Sequence, residues 1–181
     1  MSGSLPADDG FASDWGAFCR LVRADWAANP RDPKSRLVLI AFRLAQRSMG
    51  SPAVGTRLVA VVPVTLYRFW TEWFLGFEMR PRTRVGGGLT VFHGFGIVIN
   101  DHTVIGEHVT LRNGVTIGNR SPDGSAPVIG DRVELGAQAM VLGEVTIGAG
   151  ARIGAGAVVV HSVPEGASVV GPAARPVSTS I

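Results

Sequence analysis

The 181 residues suffice for one compact domain with an appendage or for two small domains, and 46% hydrophobic against 17% charged residues excludes a disordered chain. The formal charge is only +3, and the arginines are scattered without a basic stripe, so no nucleic-acid partner is expected. A single cysteine, Cys19, excludes an internal disulfide and is typical of a reducing compartment. The N-terminus has no basic segment followed by an apolar run, which predicts a cytoplasmic protein without a secretory signal.

Residues 1–76 are predicted to form a helical segment. One helical face carries four large residues at spacings of three or four, with Asp14 as the N-cap: Trp15, Phe18, Val22 and Trp26. A second helix is predicted from about Lys34 to Met49, ending before Gly50, and a third from around Arg57. We expect the aromatic residues of this segment to form a core and to pack against the following domain rather than to line a ligand site.

The apolar run at residues 58–77 approaches the length of a membrane span. Pro63, Arg68 and Glu72 interrupt it, so a buried or interfacial helix is expected. Residues 1–77 carry nine basic and six acidic side chains. Two alternatives follow: the segment contacts the inner face of the membrane, or its aromatic residues cap the open end of the next domain. The residues concerned are Trp70, Trp73, Phe74 and Phe77.

After residue 85 an aliphatic residue recurs every six positions, with two interruptions. The positions are Val85, Val91, Ile99, Ile105, Leu111, Ile117, Ile129, Leu135, Val141, Ile147, Ile153 and Val159. Glycine often follows, and the fourth residue after each aliphatic is mostly short or β-branched. A period of six predicts a parallel β-solenoid in which three hexapeptides form one triangular coil and the aliphatic residues stack inward.

The two interruptions mark candidate functional positions. Between Val91 and Ile99 the step is eight residues, which predicts a bulge just after His93. Between Ile117 and Ile129 the stretch GNRSPDGSAPV leaves the pattern, which predicts an excursion from one corner of the coil. On spacing alone, His93 is a packing residue, a turn residue or a catalytic base.

Residues 77–176 resemble the hexapeptide-repeat acyltransferases, through FEMRPRTRVGGGLTVFHGFGIVIN, IGEHVTLRNGVTIGNR and VIGDRVELGAQAMVLGEVTIGAGARIGAGAVV. The most similar branches are the colanic-acid-type exopolysaccharide O-acetyltransferases and, more distantly, the serine O-acetyltransferases. The helical run LYRFWTEWFLGFE is similar to the exopolysaccharide branch. The resemblance implies a mainly β fold: a left-handed parallel β-helix at 77–176, preceded by the α-helical segment and followed by a tail at 177–181.

The resemblance implies that His93 is the general base and that Glu78, fifteen residues earlier, orients it. An imidazole with a pKa of about 6.5 can take the proton of a hydroxyl, which is otherwise a poor nucleophile. A carboxylate fixes the tautomer and stabilises the imidazolium that forms. The other histidines, His102, His108 and His161, are predicted to be structural or surface residues. They lack metal-ligand spacing with a third donor, so no metal is expected.

The resemblance further implies acetyl-CoA as the acyl donor, lying in a groove between subunits of a homotrimer, which can pair into a dimer of trimers. The matching positions are Gly118, Asn119, Ala137, Gly154 and Ala155, where small residues let an extended chain approach the backbone. Small residues at these positions also satisfy the fold by themselves. Arg175 in GPAAR matches a tail motif whose arginine would approach the CoA phosphates.

Departures from the serine branch favour a saccharide acceptor. Serine acetyltransferases carry an acidic residue directly before the base and an Arg-His pair after the external loop, whereas this chain has Phe92 and the residues GSAP at 124–127. A zwitterion without charged partners binds poorly. Phe92 and Phe95 suit a sugar face, so we expect O-acetylation of a lipid-linked exopolysaccharide precursor. The alternatives are a serine O-acetyltransferase with an unusual pocket and a non-catalytic scaffold.

Overall fold

The computed structural model of the protein describes residues 15–49, 54–121 and 124–175. Three α-helices come first: α1 (Trp15–Ala28), α2 (Pro33–Met49) and α3 (Val54–Arg68), which contains Pro63 and continues into a π-helical segment, Phe69–Phe74. The three predicted helices are confirmed, whereas the predicted N-cap Asp14 and the predicted stop at Gly50 lie outside the described residues. None of the helices that the structure describes is long and apolar enough to span a bilayer.

Short strands then wind into three parallel sheets, in which strands three apart in the chain pair with each other and β14 pairs with β12. Sheet A contains β1 (Phe77–Met79), β4 (Ile97–Ile99), β7 (Thr116–Gly118), β10 (Met140–Leu142) and β13 (Val158–Val159). Sheet B contains β2 (Arg84–Val85), β5 (Val104–Ile105), β8 (Val128–Ile129) and β11 (Thr146–Ile147). Sheet C contains β3 (Thr90–Phe92), β6 (Thr110–Arg112), β9 (Glu134–Leu135), β12 (Arg152–Ile153) and β14 (Ser168–Val169). The predicted parallel β-solenoid is confirmed, with about five coils.

The repeating aliphatic residues form the axis of the core. All twelve are buried, and they stand in register from coil to coil, as in the ladder Val91, Leu111, Leu135 and Ile153. Side chains from α2 and α3, among them Phe42 and Tyr67, belong to the same continuous apolar cluster. The helices therefore pack on the first coil of the solenoid, where they close its apolar interior.

Polar side chains from α1 and α2 cover the open strand edge of this first coil. The Asn29 side chain is bidentate: its Nδ2 donates to Leu89 O at 2.8 Å, and its Oδ1 accepts from Val91 N at 2.9 Å. Leu89 N donates to Asp25 Oδ1 at 3.0 Å. These bonds replace the ladder that a preceding coil would otherwise supply, so the edge carries no orphaned backbone groups at these positions.

Arg43 completes this cap from α2. Its fully buried guanidinium donates to Val85 O at 2.8 Å and to Gly86 O at 2.6 Å. Its Nε donates to Asp25 Oδ2 at 2.9 Å, which forms a buried ion pair. A buried charge is tolerated only when it is paired and hydrogen-bonded, and Arg43 meets both conditions.

The aromatic residues before the solenoid do not form the cap. Trp70, Trp73 and Phe74 are exposed and contact one another or Phe69, whereas only Phe77 enters the core. The prediction that these four residues cap the open end is therefore wrong for the first three. The physical reason is that a strand edge needs hydrogen-bond donors and acceptors, which α1 and α2 provide and aromatic rings do not.

The predicted aromatic face of α1 is also mostly outside the core. Phe18 is buried, but Trp15 and Trp26 are exposed. Their rings instead lie under guanidinium groups of α2, with Arg47 Cζ 4.0 Å from the Trp15 centroid and Arg36 Cζ 4.3 Å from the Trp26 centroid. The face of α1 that carries Asp25 is the one turned to the solenoid, and Asn29 follows directly after the helix.

Candidate active site

His93 lies on an insertion at the corner where the chain passes from sheet C to sheet A, called the C–A corner below. Phe92 pairs with Arg112 of the next coil, and Phe95 O accepts from Gly114 N at 2.8 Å. His93 and Gly94 are therefore the two residues that this corner has in excess of its neighbour. The predicted bulge is confirmed, and it leaves the imidazole exposed.

The backbone at the insertion explains why it has this sequence. Gly94 is buried, and a Cβ at this position would lie 2.9 Å from Val91 Cγ1, so a larger residue would clash here unless Val91 moved. His93 has a left-handed φ of 53°, which is uncommon for a residue with a side chain. His108, Arg132 and Gln138 have the same conformation elsewhere in the solenoid. It is the insertion, and not the positive φ, that singles out His93.

A cleft of about 650 Å³ opens beside His93. One wall is the end of β3 and the corner after it, with Phe92 and Phe95. The other is the α1–α2 connection with Asp32 and the start of α2 with Lys34. Both phenylalanine rings are exposed, and the Lys34 Nζ lies 3.5 Å from the centroid of the Phe95 ring. The Arg112 guanidinium, from the next coil, lies 5.2 Å from the centroid of the Phe92 ring.

The role of the α1–α2 connection was not apparent in the sequence. Pro30 and Pro33 indicate only a break between two helices, and no pattern shows that the break folds over the His93 corner. One signal was present: Lys34 is the only lysine among 17 basic residues. The structure thus adds Lys34 and Asp32 to the residues that face the candidate base.

Glu78 lies on the outer face of β1, half-buried between the inward side chains of Phe77 and Met79. The strand is fixed by the Tyr67 hydroxyl, which donates to Met79 O at 2.8 Å. Just before β1, Gly76 lies against the C–A corner, since a Cβ at this position would be 3.5 Å from Gly96 N. β1 therefore starts beside the corner that carries His93.

No hydrogen bond or ion pair joins Glu78 to His93 in the part of the chain that the structure describes. The Glu78 carboxylate acts electrostatically on Arg68, whose pKa is raised chiefly by its hydrogen bond to Glu72 and only weakly by Glu78. The pairing of Glu78 with His93 therefore stays a proposal.

The predicted donor positions fall on two corners of the chain. Ala137, Gly154 and Ala155 follow His93 along the C–A corner, where Gly156 N donates to Ala137 O at 2.9 Å. Gly118 and Asn119 lie at the other end of the sheet A strands, at the corner where the chain passes from sheet A to sheet B. At this corner Gly143 N donates to Gly118 O at 2.8 Å. Arg175 is exposed, beyond the last strand. Within one subunit, only the first group shares a corner with the candidate base.

The surface next to the C–A corner fits an extended ligand. On sheet C, the outward column that begins at Phe92 and Arg112 continues with Gly136 and Gly154. A shallow groove of about 270 Å³ follows this column, and both glycines line it. The glycines allow the coils to stack closely, since a Cβ on Gly136 would lie 2.5 Å from Ala155 N and one on Gly154 would lie 3.1 Å from Val170 Cγ1. Ala137 and Ala155 follow the two glycines at the C–A corner.

The second interruption of the repeat is an excursion between β7 and β8, as predicted. It rejoins the coil at Pro127, whose carbonyl accepts from Val104 N at 3.3 Å. In the same subunit it lies across sheet A from His93. His102, His108 and His161 are exposed, and among the described residues no group of three His, Cys, Asp or Glu side chains is placed to hold a metal ion.

Comparisons with known proteins agree with this geometry. The family described as bacterial transferase hexapeptide (six repeats) matches residues 126–161. WcaB of Escherichia coli (strain K12), named as a colanic acid biosynthesis acetyltransferase, is 43% identical over 154 residues, which are 83% of this chain and 95% of the relative. Serine acetyltransferase of Helicobacter pylori (strain ATCC 700392 / 26695) is 40% identical over 109 residues, covering 59% of this chain and 64% of the relative.

A solved structure extends the similarity to the whole fold. Soybean serine acetyltransferase complexed with serine superposes with a TM-score of 0.74 at 31% identity, covering 92% of this chain and 72% of that one. Helices and solenoid are thus shared with an acetyltransferase, and the predicted enzyme class is confirmed. The chain belongs to the hexapeptide-repeat acetyltransferases.

Proposed function

We propose that the protein transfers an acetyl group from acetyl-CoA to a saccharide hydroxyl in exopolysaccharide biosynthesis. The observation that carries the proposal is the cleft, which the exposed His93 lines together with the exposed rings of Phe92 and Phe95. Aromatic faces suit the apolar side of a sugar ring, and at position 92 there is no carboxylate to hold an amine. The name of WcaB, a relative matched over 95% of its length, supports the same acceptor class.

In this proposal His93 accepts the proton of the acceptor hydroxyl. Its place on a two-residue insertion carries the imidazole out of the stacked wall and into the cleft, where an acceptor can reach it. A histidine changes protonation near neutral pH, as a general base in this reaction requires. Glu78, on the strand that starts beside the same corner, would stabilise the imidazolium by its charge.

Acetyl-CoA supplies the acetyl group when it is bound. Backbone groups near Ala137, Gly154 and Ala155 would hold its extended arm along the groove that leads away from His93. Gly118 and Asn119 lie at the other end of the sheet A strands, so they would contribute from an adjacent subunit. Arg175 would neutralise a phosphate group of the donor.

A homotrimer is proposed on the basis of the outer face of sheet A. Val98, Met140 and Val158 are exposed there, in one column and in register, with Thr116 between Val98 and Met140. A mainly apolar column on a solenoid wall favours burial against another copy, and a closed three-fold ring buries it in every subunit. We also propose that two trimers can pair through their helices to form a larger assembly.

The proposed location is the cytoplasm, with the aromatic segment Phe69–Phe74 against the inner face of the membrane, where a lipid-linked saccharide is presented. Trp73 is 80% exposed and contacts the Phe69 ring, and Trp70 contacts Phe74. Exposed aromatic residues of this kind partition into the interfacial region of a bilayer. Wild-type protein should co-sediment with anionic phospholipid vesicles, and Trp70→Ser/Trp73→Ser should not, although it still acetylates a soluble acceptor.

The acceptor class is tested by thiol release from acetyl-CoA. We expect turnover with an oligosaccharide of the host's own polymer and little with saturating L-serine. Serine O-acetylation is the second candidate, because named serine acetyltransferases share both sequence and fold with the chain. A kcat/KM for serine above about 10⁴ M⁻¹s⁻¹ would establish it. Absence of turnover with every acceptor would favour a non-catalytic scaffold.

A further inference from the structure

We infer that the acceptor saccharide carries an anionic group close to the acetylated hydroxyl, and that Lys34 binds this group. The inference rests on the proposed function and names the class of saccharide within it. Lys34 is the only lysine of the chain, all other basic side chains being arginine, and it lines the cleft that contains His93.

The position of Lys34 relative to His93 is fixed by direct contacts. Lys34 is the second residue of α2, whose start is capped by Asp32: Ser35 N donates to Asp32 Oδ1 at 3.0 Å. The neighbouring Ser35 Oγ lies 3.0 Å from Val91 O, two residues before His93. The start of α2, which carries Lys34, is thus joined directly to the end of β3, which leads to His93.

No carboxylate forms an ion pair with the ammonium group in the part of the chain that the structure describes, although the charge of Lys34 acts on Asp32 from a longer distance. Asp32, which also faces the cleft, accepts hydrogen bonds from Ser35 instead. Lys34 Nζ rests on the face of the Phe95 ring, 3.5 Å from its centroid. A ring face holds a cation in place without neutralising it, so the charge stays available to a ligand.

The remaining charges around the cleft have the same sign. Arg31 and Lys34 line it, and the Arg112 guanidinium lies 5.2 Å from the centroid of the Phe92 ring, whereas Asp32 is the single carboxylate among the lining residues. A neutral saccharide that covered Lys34 could offer hydroxyl oxygens as acceptors but no opposite charge, so the ammonium group would be taken from water as an unpaired cation, which is unfavourable. An acceptor with a carboxylate or a phosphate beside the sugar ring would supply the opposite charge in a charge-assisted hydrogen bond.

Selective chemistry at the single lysine tests binding without turnover. Reductive methylation of wild-type protein would be followed by mass spectrometry of the Lys34 peptide, in the presence of methyl glucuronide, glucose 6-phosphate or the neutral methyl glucoside. The N-terminal amine serves as the internal control. We expect the anionic sugars to slow the modification of Lys34 and the neutral one to leave it unchanged.

Turnover gives the second measurement, as the ratio of kcat/KM for an anionic over a neutral saccharide. We expect the ratio to fall about tenfold or more in Lys34→Ala, as for the loss of one charge-assisted hydrogen bond, and to recover in part in Lys34→Arg. Arg36→Ala is the matched control, since Arg36 lies on the same helix but its guanidinium stacks on Trp26, outside the cleft. Its ratio should equal that of the wild type.

The outcomes separate the inference from the proposed function. Stronger protection by the glucuronide identifies a carboxylate as the anion, and stronger protection by glucose 6-phosphate identifies a phosphate; either supports the inference. Equal protection by all three sugars, with a ratio near one in wild type and in Lys34→Ala, overturns the inference but leaves saccharide acetylation intact. Acetylation of L-serine and of no saccharide overturns the proposed function itself.

Discussion

Removing the Asp25 carboxylate is expected to destabilise the protein more than removing an exposed carboxylate. Asp25 is buried, and it accepts from Arg43 Nε at 2.9 Å and from Leu89 N at 3.0 Å. In Asp25→Ala the guanidinium of Arg43, itself fully buried, becomes an unpaired charge. Breaking a buried ion pair in this way costs about 3–5 kcal/mol. At about 2–4 °C per kcal/mol, the thermal midpoint should fall by about 6–20 °C.

Thermal unfolding at one fixed subunit concentration measures this loss, because self-association makes the midpoint concentration-dependent. Glu72→Ala is the matched control: Arg68 Nε lies 2.8 Å from Glu72 Oε1, but the two side chains are 46% and 22% exposed. Such a pair contributes at most about 1 kcal/mol. If both variants unfold at the same temperature, the buried pair does not anchor the helices to the first coil and the reasoning is refuted.

The additional variant Asp25→Ala/Arg43→Met removes both charges of the pair. Its loss of stability should be smaller than the sum of the two single losses, because no unpaired buried charge remains. Additive losses would show that each residue acts through its backbone partners alone.

Three further predictions concern the site and the assembly. Glu78→Gln should lower kcat, though less than His93→Ala does, because it removes a charge that would stabilise the imidazolium formed in the reaction; a wild-type kcat in Glu78→Gln would separate Glu78 from His93. Burial opposes the charge of Asp32, but hydrogen bonds from Ser35 and the charge of Lys34 outweigh it and hold the pKa of Asp32 below 3.8. The charged cap therefore stabilises the protein fully above pH 3.8 and progressively less as the pH falls through the lower folded-state pKa. The cost of Asp32→Ala, about 0.5–2 kcal/mol at pH 7, should shrink at pH 3 in urea unfolding, and a constant cost would contradict the cap. Val158→Glu should dissociate the trimer in light scattering, and a persistent trimer would exclude sheet A as the interface.

The solenoid could be predicted because each of its residues has an environment set by its place in a six-residue unit. Val85 to Val159 repeat one pattern, and the pattern alone determines which side chains turn inward. The insertion at His93 was visible for the same reason, since an irregular step stands out against a strict period. Local sequence was sufficient for both.

The cap and the second wall of the cleft could not be predicted, because they depend on contacts between distant residues. Asp25 binds the backbone of Leu89, 64 residues away, and Arg43 binds that of Val85, 42 residues away. In the sequence, both look like the polar face of an ordinary surface helix. The prediction that Trp70 and Trp73 cap the solenoid was wrong because hydrophobicity indicates burial but not the hydrogen bonds that a strand edge requires.

The most direct test of the central claim is the rate of thiol release by His93→Ala with the preferred saccharide at saturating acetyl-CoA. His108→Ala is the matched control, because His108 is also an exposed corner histidine, with a φ of 55° against 53° for His93. Loss of a general base should lower kcat about 10²–10⁴-fold in His93→Ala, with the fold unchanged, whereas His108→Ala keeps wild-type turnover. Near-normal kcat in His93→Ala would mean that His93 is a turn residue and that the base lies elsewhere.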